Sequence, residues 1–135
     1  MARTEQQNLV PHLAGVALAG WIVPGGGYFL IKEYSRGLMV FLTICLLFLA
    51  GIYIGSIGII DRIGSLPWFV LQMANSPLVE LIDMKTAGGA FPVFGRPCEF
   101  GEIYTGTAGW LNLLVIVNSV YLAYLKKTKR EVPAK

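Results

Sequence analysis

The sequence is poor in charge, in histidine and in cysteine, and these shortages exclude several classes of protein. Charged residues make up 14% of the 135 residues, below the roughly 25% of soluble proteins. With one histidine, His12, and two cysteines, Cys45 and Cys98, the chain has no paired metal-binding motif and no CxxC sequence. It also has no phosphate-binding loop and no nucleophile elbow. We therefore expect that the protein is not an enzyme.

Charge is absent altogether from two long stretches, residues 37–60 and residues 103–125. Each exceeds the roughly 20 apolar residues that an α-helix needs to cross the hydrocarbon core of a bilayer. Neither stretch has the polar stripe that a helix on the surface of a soluble protein carries. The sequence therefore predicts two transmembrane helices at these positions, in an integral membrane protein with one domain, residues 1–135.

A third apolar segment, residues 5–31, is shorter because Pro24, Gly25, Gly26 and Gly27 interrupt it. Proline and glycine disfavour a helix interior, so a helix in this segment should end near Val23. The segment either spans the membrane as a short helix or re-enters on the side from which it came. A signal peptide cleaved after Ala19 is a third interpretation, although the basic leader such peptides carry is missing.

The distribution of charge predicts the orientation. Basic residues dominate the tail, residues 126–135, whereas acidic residues outnumber basic ones in the loop, residues 61–102. By the positive-inside rule the tail is cytoplasmic and the loop is external. This places the C-terminus inside, and leaves the side of the N-terminus open.

The external loop contains two starts typical of short helices. Ser65 precedes Leu66-Pro67 and Ser76 precedes Pro77, in each case a hydroxyl residue followed by a proline in the first turn. We expect two short helices at the membrane surface. The predicted fold is all-α: a small polytopic membrane protein with two long transmembrane helices, a shorter glycine-broken N-terminal segment and short interfacial helices in the outer loop.

Both long helices carry small residues on one face, which favours close helix packing. In the first helix this face is Gly51, Gly55 and Gly58; in the second it comprises Thr105, Ala108, Gly109, Asn112 and Ser119. Asn112 is near the middle of its helix, where an unpaired amide would be costly. We expect it to form a hydrogen bond with a neighbouring helix.

Three features are candidates for binding. His12 could ligate a haem iron or a chlorophyll magnesium, although a single histidine is more often a polar residue at the membrane surface. The turn at Pro24, Gly25, Gly26 and Gly27 could hold an anion on its N–H groups, or simply connect two helices. The tail attracts lipid head groups through Lys126, Lys127, Lys129 and Arg130. The sequence requires no cofactor, and the tail is too short to indicate nucleic-acid binding.

Residues 19–30, AGWIVPGGGYFL, resemble the "AWLVPGxGHxYLG" start of a group of small uncharacterised bacterial membrane proteins. Residues 99–114 resemble that group's "YEYGxxYxxxAGLLNLL" segment, and the first half is distantly similar to the TM2-type two-helix domain. The chain departs from the pattern at Tyr28, where His is expected, and at Asn118, where Asp is expected. The resemblance implies a bacterial inner-membrane location and no known activity.

Three functions fit these features. The first is a non-catalytic accessory subunit of a larger membrane complex, such as a respiratory or photosynthetic one, with other membrane subunits and lipids as its partners. The second is a membrane module that binds a pigment, a haem or a lipid through His12 or the glycine turn. The third is a self-assembled channel or carrier, for which only Asn112, Asn118 and Ser119 offer a polar path.

Overall fold

The computed structural model describes residues 2–64, 66–86 and 96–131, and the side chains of residues 9–64, 66–86 and 97–129. Within these ranges the chain is helical and contains no strand. We number the helices α1 (Ala2–Ile22), α2 (Gly26–Leu30), α3 (Tyr34–Gly55), α4 (Leu66–Met73), α5 (Leu78–Thr86) and α6 (Arg96–Glu131). The all-α fold class predicted from the sequence is confirmed for this part of the chain.

Two of the described helices, α3 and α6, are long and apolar enough to cross a membrane. Their bounds differ from those predicted. α3 ends at Gly55 because Ser56 turns the backbone to a φ of 68°. Gly58 lies beyond this end, in a 3-10 turn spanning Ile57–Ile59. The prediction that Gly58 shares a helix face with Gly51 and Gly55 was therefore wrong.

The helix α6 is also longer than predicted, since it begins at Arg96 and ends at Glu131. Residues 96–102 were predicted as part of the outer loop, because three of them are charged and the uncharged run begins only at residue 103, and they form the first turns of α6 instead. The prediction of a loop as far as Glu102 was wrong for this reason. A long helix can extend its charged ends past the apolar region without losing its own hydrogen bonds.

Helices α1 and α2 form a hairpin that lies along the second half of α6, and we call it the N-terminal hairpin. His12, at the middle of α1, lines a pocket with Lys126 and Lys127, whereas Gly20, near the end of α1, is bonded to Asn112. The chain then returns, and the carbonyl of Ile31 accepts a hydrogen bond from Lys126. The hairpin covers the α6 stretch between Asn112 and Lys126, about 21 Å at 1.5 Å per residue.

Helices α4 and α5 form a second hairpin, in which α4 lies along the first half of α6, and we call it the loop hairpin. Trp68 in α4 packs on Gly106, and the backbone of Asn75, at the tip, is bonded to Asn112. In α5, Asp83 accepts a hydrogen bond from the backbone N–H of Arg62, at 3.2 Å, at the opposite end of the hairpin. The two hairpins therefore approach from opposite ends of α6, and their tips meet at the same residue.

The described core consists of two apolar clusters, one for each hairpin. The cluster at the N-terminal hairpin contains Val16, Tyr28, Ile31 and Ala123. The cluster at the loop hairpin contains Ile59, Ile60, Phe69 and Val79. Polar groups lie between the two clusters, around Asn112.

Candidate functional site

A group of polar contacts lies between the two apolar clusters, where α1 and α4 end. We call this group the helix-end junction (residues 20–22, 73–76 and 112). The last carbonyl groups of an α-helix have no partner within the helix. Two helix ends that meet in an apolar bundle therefore present several carbonyl oxygens that need donors from side chains. The junction supplies these donors from three residues.

Asn112 supplies most of them. Its Nδ2 lies 3.1 Å from the carbonyl oxygen of Gly20, 3.1 Å from that of Ala74 and 2.9 Å from that of Asn75. The side chain is fully buried, with 0% of its surface exposed. The sequence predicted a hydrogen bond from Asn112 to a neighbouring helix, and the structure places this amide between two helix ends at once.

Two further donors join the hairpins directly. The indole Nε1 of Trp21 donates a hydrogen bond of 2.9 Å to the carbonyl of Met73. The hydroxyl of Ser76 donates one of 3.0 Å to the carbonyl of Ile22. Both bonds connect the end of α1 to the end of α4, so the two hairpins are fixed to each other as well as to α6.

Sequence reasoning missed three polar residues of this region, Gln72, Asn75 and Ser76, which are all buried. Gln72 donates through Nε2 to the hydroxyl of Thr105, at 2.8 Å. A signal was available for Gln72, because it is the one polar side chain among residues 66–73. The side-chain oxygens of Gln72, Asn75 and Asn112 accept no hydrogen bond from the described residues.

The small residues predicted for helix packing lie where α6 meets its neighbours. A Cβ atom on Gly51 would lie 2.7 Å from Cγ2 of Thr105 and 2.9 Å from the carbonyl oxygen of Gly101. A Cβ on Gly109 would overlap the carbonyl oxygen of Leu71. The remaining members of the predicted stripe, Ala108 and Ser119, are fully buried. Gly101 also faces Gly55 and was missed, because it was assigned to the loop.

The turn at residues 24–27 is buried, and Gly25 adopts a φ of 76° that favours glycine. Its N–H groups are used within the turn: Gly26 donates to Val23 and Tyr28 donates to Gly25. A Cβ on Gly25 would lie 2.8 Å from the carbonyl oxygen of Gly37 in α3. The turn is surrounded by carbonyl oxygens, which repel anions, and we assign it a packing role.

Tyr28 and Asn118, the two positions at which the chain departs from the resembled sequence pattern, contact each other. The Nδ2 of Asn118 donates a hydrogen bond of 2.6 Å to the hydroxyl of Tyr28. The two departures are therefore one interaction, which ties α2 to α6.

The second polar site is a basic pocket between the middle of α1, the residues that end α2 and the last turns of α6. It has a volume of about 390 Å³. Basic and apolar residues line it together: His12, Lys32, Lys126 and Lys127 with Leu30, Ile31 and Ala123. His12 thus lies among lysines, and the described residues contain no cluster of three His, Cys, Asp or Glu side chains that could hold a metal ion.

Glu33 is a carboxylate that lies beside the basic pocket. The Nζ of Lys126 is 2.6 Å from Glu33 and 3.0 Å from the carbonyl oxygen of Ile31. The hydrogen bond from Lys126 is the main reason that the pKa of Glu33 is below its usual value of 4.5. Of the predicted tail residues, Lys126 and Lys127 line the pocket, Lys129 is exposed, and the side chain of Arg130 lies outside the described residues.

These features define an all-helical protein with two described helices able to cross a membrane and two helical hairpins that meet at the middle of the longer one. The chain belongs to a family of unknown function (DUF6677), whose model matches residues 15–131. The resemblance to a group of uncharacterised proteins is thereby confirmed. Searches of curated proteins and of solved structures gave no match.

Proposed function

We propose that the protein is a non-catalytic membrane module that binds an anionic phospholipid at its basic end. The observation that carries this proposal is the basic pocket. Three lysines and a histidine line it together with apolar residues, a combination that matches a phosphate with an attached acyl chain. One carboxylate, Glu33, offsets part of the positive charge.

A membrane location is part of this proposal. α3 and α6 are long enough to span, and large apolar side chains such as Leu42, Leu46 and Leu114 are exposed on them. In water such a surface would be unusual, whereas lipid covers it without cost. Each hairpin then enters the membrane to half its depth and leaves on the same side. Irregular backbone at that depth requires donors from the protein, and the helix-end junction provides them.

The basic pocket and the tail support a proposed orientation. Lys32, Lys126, Lys127 and Lys129 are at one end of the bundle, and Glu80 and Asp83 are at the other. The positive-inside rule puts the basic end in the cytoplasm of a bacterial cell, with both termini on that side. The pocket then faces the leaflet surface where anionic head groups attract Lys and Arg.

The accessory-subunit interpretation rested on small-residue faces and on an apolar outer loop that would contact neighbouring subunits. In the structure Gly51, Gly55 and Gly101 pack against one another within the chain. Asn112 and Ser119, which the channel interpretation needed, are also bonded internally. The basic pocket is the described surface that supports the lipid-binding interpretation. We also propose that other membrane subunits bind to the exposed apolar faces.

Retention of phospholipid by the detergent-purified protein, measured by native mass spectrometry, tests the proposal. We expect phosphatidylglycerol to be retained in preference to phosphatidylcholine. Replacing Lys32 and Lys127 with Gln should weaken retention of phosphatidylglycerol by a factor of about five per lysine, from about 1 kcal/mol per charge. Lys85→Gln, an exposed lysine in α5, is the matched control and should change nothing. Equal retention by the double variant and the wild type would refute the proposal.

A further inference from the structure

The backbone just after α2 has a conformation that is unusual for the residue it carries. Lys32 adopts a φ of 63°, in the left-handed region. Its N–H donates to the carbonyl of Phe29, at 3.1 Å, and the N–H of Glu33 donates to the carbonyl of Tyr28, at 2.9 Å. These two bonds form a Schellman motif, in which the left-handed position is usually glycine. A lysine at this position carries a backbone strain that glycine would avoid.

Backbone strain of this kind concentrates at functional sites. Lys32 lines the basic pocket, where it joins His12 of α1 and Lys126 and Lys127 of α6. A glycine in its place would relieve the strain and would remove one of the three ammonium groups of the pocket. The strain therefore directs attention to what the ammonium group of Lys32 binds.

Lys126 is held in position in the same pocket. Its Nζ donates to the carbonyl oxygen of Ile31, at 3.0 Å, and to Glu33, at 2.6 Å. An ammonium group has three N–H donors, so one is left for a ligand. Glu33 also lies 3.8 Å from Arg36, so two cations share this carboxylate. The pocket therefore keeps a positive charge of more than one unit.

We infer that the head group bound in the basic pocket is a phosphomonoester, as in phosphatidic acid, in preference to a phosphodiester. This inference rests on the proposed phospholipid function and names its head group. A phosphomonoester carries about 1.5 to 2 negative charges at pH 7, whereas a phosphodiester carries a single one. Ammonium groups beside the phosphate favour its doubly charged form. Its three terminal oxygens are acceptors for Lys32, Lys126 and Lys127.

Phosphatidylmethanol is the matched ligand for a test, because it differs from phosphatidic acid by one methyl group that turns the monoester into a diester. Native mass spectrometry of the detergent-purified protein, titrated with the dioleoyl form of each lipid, compares their binding. We expect phosphatidic acid to bind about fivefold more tightly, the factor that one further charge contributes near a membrane surface. Equal binding of the two lipids would overturn the inference. The phospholipid proposal fails separately, if neither lipid binds better than phosphatidylcholine.

A soluble phosphomonoester tests whether the acyl chains take part. Glycerol 3-phosphate has the same head group without acyl chains, and in large excess it should leave phosphatidic acid bound, because the apolar lining at Leu30, Ile31 and Ala123 contacts the chains. Displacement of phosphatidic acid would overturn the inference in favour of a soluble ligand.

Variants of Lys32 complete the test, with thermal unfolding measured beside lipid binding. Lys32→Asn removes the ammonium group and keeps a residue that tolerates a left-handed backbone, and it should weaken binding of phosphatidic acid about fivefold. Lys32→Gly should bind as weakly and should unfold at a higher temperature than the wild type, because the strain is removed. Ser56→Gly is the control, since Ser56 has a φ of 68° and lies outside the pocket; it should also unfold at a higher temperature but bind phosphatidic acid normally. Normal binding by Lys32→Gly would overturn the inference.

Discussion

At the scale of single residues, Asn112 determines how the helices end. One amide donates to carbonyl oxygens of both α1 and the turn after α4, which would otherwise be buried without partners. The need for a partner could be predicted from an asparagine in the middle of an apolar run. The identity of the partners could not be predicted, because Gly20 is 92 residues away in the sequence and no local pattern indicates that the two residues are in contact.

Replacing Asn112 with Leu should therefore destabilise the protein strongly. At least two buried carbonyl oxygens lose their donor, at about 1–3 kcal/mol each, so we expect a loss of about 2–6 kcal/mol in the free energy of unfolding. Thermal unfolding in detergent, followed by circular dichroism, measures it. Asn118→Leu is the control, because Asn118 is on the same helix and bonds only to the hydroxyl of Tyr28. Similar losses for the two variants would contradict the role of Asn112.

Glu33 sets the pH dependence of the basic pocket. Because the hydrogen bond from Lys126 lowers its pKa below 4.5, Glu33 stays charged at neutral pH and holds Lys126. As pH falls through this lowered pKa, the carboxylate is protonated, the stabilising ion pair is lost, and Lys126 becomes available to an anionic lipid. Glu33→Gln should reproduce this at pH 7 and strengthen phosphatidylglycerol retention about fivefold. Glu80→Gln, at the other end of the bundle, is the control and should not change retention of phosphatidylglycerol. Weaker retention by Glu33→Gln would contradict this prediction, because it would show that the ion pair supports the pocket.

At the scale of elements, close approach of α3 and α6 depends on glycine on both helices. The pattern Gly51-x-x-x-Gly55 was visible in the sequence and predicted one side of this contact. Gly101, which forms the other side of this contact, was not predicted, because the charged residues around it are typical of a loop. The end of α3 could not be predicted either, because apolar residues continue to Ile60 after the helix has ended at Gly55.

A leucine at Gly51 should separate α3 from α6. Its Cβ would lie 2.7 Å from Thr105 and 2.9 Å from the backbone of Gly101, closer than atoms can pack, so we expect a loss of about 1–3 kcal/mol in stability. Gly15→Leu is a matched control, because no atom lies within 4 Å of a Cβ at Gly15. Thermal stability in detergent compares them, and equal effects would mean that the contact between α3 and α6 is looser than described.

At the scale of the whole molecule, the fold consists of two long helices and two hairpins, which approach α6 from its opposite ends. The sequence predicted the long helices from length and charge alone, and it left open whether residues 5–31 span or re-enter. The choice depends on contacts of His12, Gly20 and Ile31 with α6, which no local pattern encodes. In the structure the middle of α1 and the residue that follows α2 both lie near Lys126, so the start of α1 points toward the same end of the bundle as the last turns of α6.

Cysteine labelling in intact bacterial cells tests this central claim. With Cys45 and Cys98 replaced by serine, single cysteines are introduced by Gln6→Cys, Lys85→Cys and Lys129→Cys. A membrane-impermeant maleimide should label Lys85→Cys in intact cells, and it should label the Gln6 and Lys129 variants only after the membrane is permeabilised. Labelling of Gln6→Cys in intact cells, while Lys129→Cys stays protected, would show that α1 crosses the membrane and would contradict the two-hairpin account.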